Sequence, residues 1–237
     1  MKLFGVLSGS RAALEAVVDV AFATQVKELT LFWSLSPRNS GVNAASAPAL
    51  ARLLSNSTCL THLEVCNRVT VPLADVPAAQ ALSAPLRTNR TLRRLELDAV
   101  GLWDDMPVAE ALLGALVGHP SLEELLLACE ENFDDDVATA GAMFAALIAA
   151  NAPALRTLSI KHITLGDAGL RPLVDALPRN AHLTMLTLKD CDMSDDFARG
   201  PLLAAVRANA SLRELVSDHD AAAAAKQLVA ACRAPLQ

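Results

Sequence analysis

A short apolar phrase recurs along this chain and leaves few folds open to it. At 183–193 it reads Leu183-Thr184-Met185-Leu186-Thr187-Leu188-Lys189-Asp190-Cys191-Asp192-Met193, with leucine at places 1, 4 and 6 and cysteine at place 9. The same places are filled by Leu92/Leu95/Leu97, Leu122/Leu125/Leu127 and Leu155/Leu158/Ile160, and more loosely by Val26/Leu29/Leu31, Leu60/Leu63/Val65 and Leu212/Leu215. First places fall at 26, 60, 92, 122, 155, 183 and 212, so the steps are 34, 32, 30, 33, 28 and 29 residues. Self-similarity at such a period marks a stacked array, because one unit cannot bury its own apolar face and must pack on copies of itself.

Places 4 and 6 alternate as in a strand, with both side chains on one face. Each phrase is short and ends in turn residues, so it reads as a short parallel strand. The stretches 44–55, 76–88, 106–118, 134–150, 166–179, 194–208 and 220–233 are rich in Ala, Leu and Val at helical spacing. Ser194-Asp195-Asp196 and Thr164-Leu165-Gly166-Asp167 supply capping oxygens and first-turn carboxylates at helix starts. Asn56, Asn89, Asn151, Asn180 and Asn209 stand three or four residues before a strand leucine, and His119 does so once. Asparagine tolerates the left-handed backbone that ends helices, so Asn180 and Asn209 are expected in left-handed or turn conformations, with their side chains engaged to backbone. On that reading glycine would replace them far better than valine.

The pattern resembles the ribonuclease-inhibitor-like subtype of leucine-rich repeat proteins, over nearly the whole chain. The resemblance implies an α/β fold: a right-handed curved solenoid, or horseshoe, with a parallel sheet on the concave face and helices on the convex face. That subtype usually carries Asn or Cys at place 9. Here only Cys191 conforms; Ser34, Arg68, Val100, Glu130 and Ile163 stand there in other repeats, so their loops are expected to be irregular.

The 237 residues are read as a single domain, 1–237, of about seven repeats. A truncated strand-helix unit precedes them, with Met1, Phe4 and Val6 at places 1, 4 and 6 and a helix over 10–23. The chain thus starts inside the pattern without a polar cap, which solenoids need, and this suits part of a larger chain or assembly. No apolar run reaches the length that spans a bilayer, so no membrane is expected. The net charge of −6 argues against nucleic acid, whose affinity comes from Lys and Arg on phosphates. Five scattered cysteines make no disulfide framework and fit a reducing, cytoplasmic setting. The triplets at Asn56, Asn89 and Asn209 match a glycosylation signal, but the repeat itself demands these residues there.

If places 4 and 6 point inward, places 3, 5 and 7 point outward and form ladders across neighbouring strands. They present Arg94, Glu96, Glu124, Lys161 and Lys189, with Thr187 also facing out, while Trp33, His162 and Asp190 stand at place 8. Arg93, Glu123 and Arg156, and Arg94 with Glu124, read as cross-strand ion pairs. Phe32 and Trp33 are rare aromatics, and Trp is an enriched interface anchor; Trp103 reads as loop packing. Cys129, His162, Asp190 and His219 share one ladder and admit a nucleophile set, a zinc site or a polar binding surface. No oxyanion donors, phosphate loop or metal-ligand spacing accompany them, so no catalytic residue, metal or cofactor is assigned. Asp104, Asp105, Glu130, Glu131, Asp134, Asp135, Asp136, Asp167, Asp192, Asp195 and Asp196 follow strands and form an acidic edge.

The reading is therefore a non-enzymatic scaffold that binds a protein partner through Trp33, Arg94, Glu96, Glu124, Lys161, His162, Lys189 and Asp190, and through the acidic edge. The alternatives are a GTPase-activating module for a small GTPase, an activity known in the subtype it resembles, and the recognition arm of an immune-sensor or ubiquitin-ligase assembly.

Overall fold

In a computed structural model of the chain, residues 1–7, 11–33, 42–67, 74–99, 102, 105–128 and 137–231 are described. Strands and helices alternate, and the described residues fall into two compact units, Met1–Cys129 and Glu130–Gln237.

The first unit runs β1 (Lys2–Leu7), α1 (Arg11–Ala23), β2 (Glu28–Trp33), α2 (Ala47–Asn56), β3 (His62–Asn67), α3 (Val76–Thr88), β4 (Arg94–Ala99), α4 (Met106–Leu116) and β5 (Glu124–Ala128). Its five strands pair in chain order, all parallel. Place 4 pairs with place 4: Leu29, Leu63, Leu95 and Leu125 stand side by side, and so do Leu31, Val65, Leu97 and Leu127. All eight are buried. Leu50, Leu54, Leu82, Leu86, Leu112 and Leu116 come from the helices to meet this layer around a small apolar void. Period two in the strand and period 3.6 in the helix thus supply the two faces of one core.

The second unit holds α5 (Val137–Ala149), β6 (Thr157–Lys161), α6 (Gly166–Ala176), β7 (Met185–Lys189), α7 (Asp195–Phe197), α8 (Leu203–Ala208), β8 (Glu214–Ser217) and α9 (Ala223–Ala231). β6, β7 and β8 pair in parallel with Leu158, Leu186 and Leu215 aligned. The helix expected over 194–208 is interrupted by a π turn at Ala198–Leu202. Pro201 lies within it and has no N–H to give to the ordinary ladder.

The first strand exists, but one residue out of the expected register. Leu3 pairs with Leu29 and Gly5 with Leu31, so Leu3 and Gly5 hold places 4 and 6 while Phe4 faces outward. The carbonyl of Met1 accepts from Lys27 N and Glu28 N. The place-2 carbonyl of Lys27 accepts from Thr61 N and His62 N in the same way, which fixes Met1 as place 2. Helix α1 packs closely at place 6: a Cβ on Gly5 would stand 2.9 Å from Cγ1 of Val17, so a larger side chain there would force a shift. A one-residue slip exchanges the faces of every side chain in a strand.

The helix stops engage backbone through their side chains as expected, but their own backbone differs from expectation. Asn89, Asn180 and Asn209 are extended, with φ of −60°, −81° and −85°. Only Asn151 of the stop residues is left-handed, at φ 50°. The others matter for their side chains. Nδ2 of Asn89 donates to Leu54 O, that of Asn180 to Ile148 O, and that of Asn209 to Leu177 O. Each acceptor is a helix carbonyl one repeat earlier. The Oδ1 atoms accept from the N–H groups of Leu92, Leu183 and Leu212 at the entrance to the next strand. One amide therefore gives a donor to a helix-end carbonyl and satisfies an orphan loop N–H together, although Ile148 O and Leu177 O also accept from the N–H groups of Asn151 and Asn180. The amide nitrogens of Asn89 and Asn209 are thus engaged within the fold, which supports the structural reading of their triplets over glycosylation.

His119 does the same with a ring. Nε2 lies 2.9 Å from Leu86 O, and Nδ1 accepts from Leu122 N at 3.0 Å. Both bonds together require the neutral tautomer protonated on Nε2. Burial, opposed by the bond to Leu86 and joined by the charge of Arg90, lowers its pKa below the ordinary 6.5. The unfolded chain then takes up this proton more readily than the folded one. The contribution to stability is present above pH 6.5 and is lost as pH falls through the lower folded value. His119→Asn should keep the two hydrogen bonds and remove this component of the acid sensitivity, as read by thermal unfolding between pH 7 and pH 5.

In the second unit α5 and α6 touch at glycines. A Cβ on Gly141 would overlap the carbonyl group of Gly169, and one on Gly169 would stand 2.8 Å from Val137 O. The obstruction is backbone, which cannot rotate away. Gly141→Ala is therefore expected to destabilise by about 1–3 kcal/mol despite its better helix propensity, measured by denaturant unfolding.

Candidate functional site

The leucine layer fills one side of the strands, and the outward rows occupy the other. In the first unit, row 3 is Lys2, Glu28, His62, Arg94 and Glu124, and row 5 is Phe4, Thr30, Glu64, Glu96 and Leu126. Row 7 includes Phe32, Cys66, Asp98 and Ala128. Arg94 sits at the middle of this surface. It reaches Glu124 at 2.7 Å across the strands and Glu96 at 3.0 Å along its own strand. Partial burial opposes its charge, but the hydrogen bonds and charges of Glu96 and Glu124 prevail and raise its pKa. Arg93 pairs with Glu123 at 3.2 Å, as expected. Arg156 instead donates to the carbonyl of His182.

Row 5 is less open than its direction suggests. Thr30, Ser159 and Thr187 face outward yet are buried, Thr187 with only 5% exposure. Strands about 4.8 Å apart let long neighbours cover a short side chain. Oγ1 of Thr30 donates to Oε2 of Glu64 at 2.7 Å. Direction is legible from parity, whereas exposure depends on the neighbours' lengths.

Lys161 and Lys189 are paired in row 7 of β6 and β7, half-buried and exposed respectively. His162 and Asp190 follow them in left-handed conformations, at φ 55° and 49°. Nδ1 of His162 lies 2.8 Å from Oδ2 of Asp190. The N–H of Asp190 donates to Oδ2 of Asp218 at 3.0 Å. Partial burial works upward on the Asp218 carboxyl, but its hydrogen bonds and the charge of Lys189 hold it below the usual range.

His219 does not join the His162–Asp190 pair. Its Nε2 turns toward Asp195 at 3.7 Å, and its buried Nδ1 has no hydrogen-bond partner. Cys129 lies outside the described residues. Among the described residues no three His, Cys, Asp or Glu side chains converge as metal ligands. Burial drives the thiols of Cys66 and Cys191 up to about 12, with nearby carboxylates adding to it, so neither is a ready nucleophile near neutrality.

Parts of the acidic edge have structural duties. Asp167 accepts from both the N–H and the hydroxyl of Ser194, tying one loop to the next. Asp190, Asp192, Asp195, Asp218, His219 and Asp220 line an open groove beside them. Trp33 closes β2, and its side chain lies outside the described residues, as do Trp103 and the acidic residues 104, 130–131 and 134–136. Sequence reasoning missed Phe4, which is 66% exposed, because the register of β1 was misplaced. The signal that could have found it is Gly5, a residue with no side chain to offer at an inward place. Among the described residues no helix is long and apolar enough to cross a membrane. No protein-family model matches the chain, and no curated protein matches it.

Proposed function

We propose that this chain is a non-enzymatic protein-binding scaffold of the leucine-rich repeat type, ribonuclease-inhibitor-like, in which residues 1–237 form one curved solenoid. The periodic strand phrase, parallel pairing within each unit and polar helix-stop residues that link successive repeats all favour that architecture. The partner surface is the outward sheet face, with Arg94, Glu96, Glu124, Lys161, His162, Lys189 and Asp190 on it and Trp33 at its margin. The acidic loop edge extends it.

The observation that carries this reading is the set of outward rows. They place charged, polar and aromatic side chains on paired strands, where binding costs little ordering. The charges are of both signs, which suits a specific protein interface better than a polyanion. Affinity capture with the intact chain tests it. Lys161→Glu with Lys189→Glu should leave the fold intact and reduce capture of the partner by about tenfold or more. Undiminished capture by a folded double variant would remove these lysines from the binding surface.

A further inference from the structure

The outward face of the first unit has a chemistry of its own, and we infer that it binds an extended protein segment carrying a cationic side chain and an apolar one about three residues apart. The inference rests on the scaffold reading and names the kind of partner this end of the surface takes.

Charge is the first observation. Among the described outward residues of β1–β5, the four glutamates Glu28, Glu64, Glu96 and Glu124 outnumber the two cations Lys2 and Arg94. Arg94 is already shared between Glu96 and Glu124. Among the described residues, Glu64 accepts from neutral donors: the hydroxyl of Thr30 at 2.7 Å and the thiol of Cys66 at 3.3 Å. Carboxylates that accept from neutral donors keep their charge available to an incoming cation. The neighbouring thiol registers the same field: after burial, Glu64, Asp98 and Glu96 all push Cys66 upward.

Shape is the second. Lys2, Glu28, Thr30, His62, Glu64 and Arg94 surround a cleft of about 250 Å³ on this face. It is a pocket rather than a flat acidic strip.

The third is an apolar flank. Phe4 is 66% exposed and Phe32 is 39% exposed, beside the cleft on β1 and β2. Nζ of Lys2 lies 4.9 Å from the centroid of the Phe4 ring, so one face of that ring already receives a cation. Large exposed aromatics next to unbalanced carboxylates favour a partner that is both apolar and basic.

Spacing sets the segment. Phe4 and Glu64 share row 5 two strands apart, which is about 10 Å at the strand spacing of a sheet. Three residues of extended chain cover about the same distance. A leucine over Phe4 thus brings an arginine three residues later to Glu64 and Glu28.

The test is a nuclear magnetic resonance titration of the intact chain with the acetylated, amidated hexapeptide Gly-Leu-Ser-Ser-Arg-Gly. Saturable shift changes are expected at the amides of Phe4, Thr30 and Glu64. Exchanging the peptide's arginine for glutamate, or its leucine for serine, should weaken binding about fivefold or more. Glu64→Gln and Phe4→Ala in the protein should do likewise, while Glu110→Gln, which removes the same charge from α4, should not. Equal weakening by Glu110→Gln would show a general attraction to an acidic protein and overturn the proposal. So would equal binding of the glutamate peptide, shift changes confined to other elements, or no saturable binding at all. If the peptide fails while a captured partner still protects the outward face, the segment chemistry is wrong and the scaffold reading stands.

Discussion

Asn180→Gly is expected to destabilise the protein about as much as Asn180→Val, by about 2 kcal/mol or more, because either change leaves the N–H groups of Leu183 and His182 without their acceptor, at about 1–3 kcal/mol for a buried group, and takes one of two donors from Ile148 O, which keeps Asn151 N. Nδ2 of Asn180 donates to Ile148 O at 2.8 Å, and Oδ1 accepts from His182 N at 3.0 Å and Leu183 N at 2.7 Å. Its backbone is extended, so glycine gains nothing there. Asn180→Asp should fail too, since a carboxylate can accept from Leu183 N but only repels the carbonyl of Ile148. Asn180→Ser should recover part of the loss: Ser57, at the equivalent place of another repeat, accepts from Leu60 N at 3.1 Å. Chemical denaturation of the four variants reads the order. A glycine variant close to wild type would return the explanation to backbone conformation.

Leu186→Ala should cost about 2–5 kcal/mol. Leu186 is fully buried at place 4 of β7, between Leu158 and Leu215 on its neighbours. The cavity is bounded by strands on both sides, which limits collapse into it, so a value toward the upper end is expected. Thr187 is buried as well, but on the outward side, so Thr187→Ala also carries a cost, smaller because it removes a short side chain. A loss below about 1 kcal/mol for Leu186→Ala would mean that the leucine layer does not set the core.

The parts of the fold readable in the sequence were those written as a period. A leucine at place 4 announced each strand from β2 to β8, with an aliphatic residue at place 6 in all but β8, and the helix between 76 and 88 matches α3 at both ends. The polar stops were legible as side chains that engage backbone groups, but not in their extended backbone conformation. Asparagine suits both a left-handed backbone and a bidentate side chain, and sequence alone does not separate the two. His119 held the clue, since histidine has no special claim on left-handed backbone but offers one donor and one acceptor as Asn does. The glycine contact between α5 and α6 depends on where two helices cross, which no local pattern records.

For the outward face, the cross-strand pair of Arg94 with Glu124 was legible because parallel strands in phase place equal positions side by side. The second bond of Arg94, to Glu96 on its own strand, was not foreseen. Nor was the turn of His219 away from Asp190, because loops after strands do not preserve the strand's alternation.

Hydroxyl-radical footprinting of the protein, alone and with its captured partner, tests most directly whether the outward sheet face carries the function. The account predicts that oxidation of Phe4, Phe32 and Met185, which stand in the outward rows of β1, β2 and β7, falls on partner addition. Oxidation of Phe22 and Met143, on helices α1 and α5, should stay unchanged. Protection of the helix residues with the outward rows still fully reactive would contradict it.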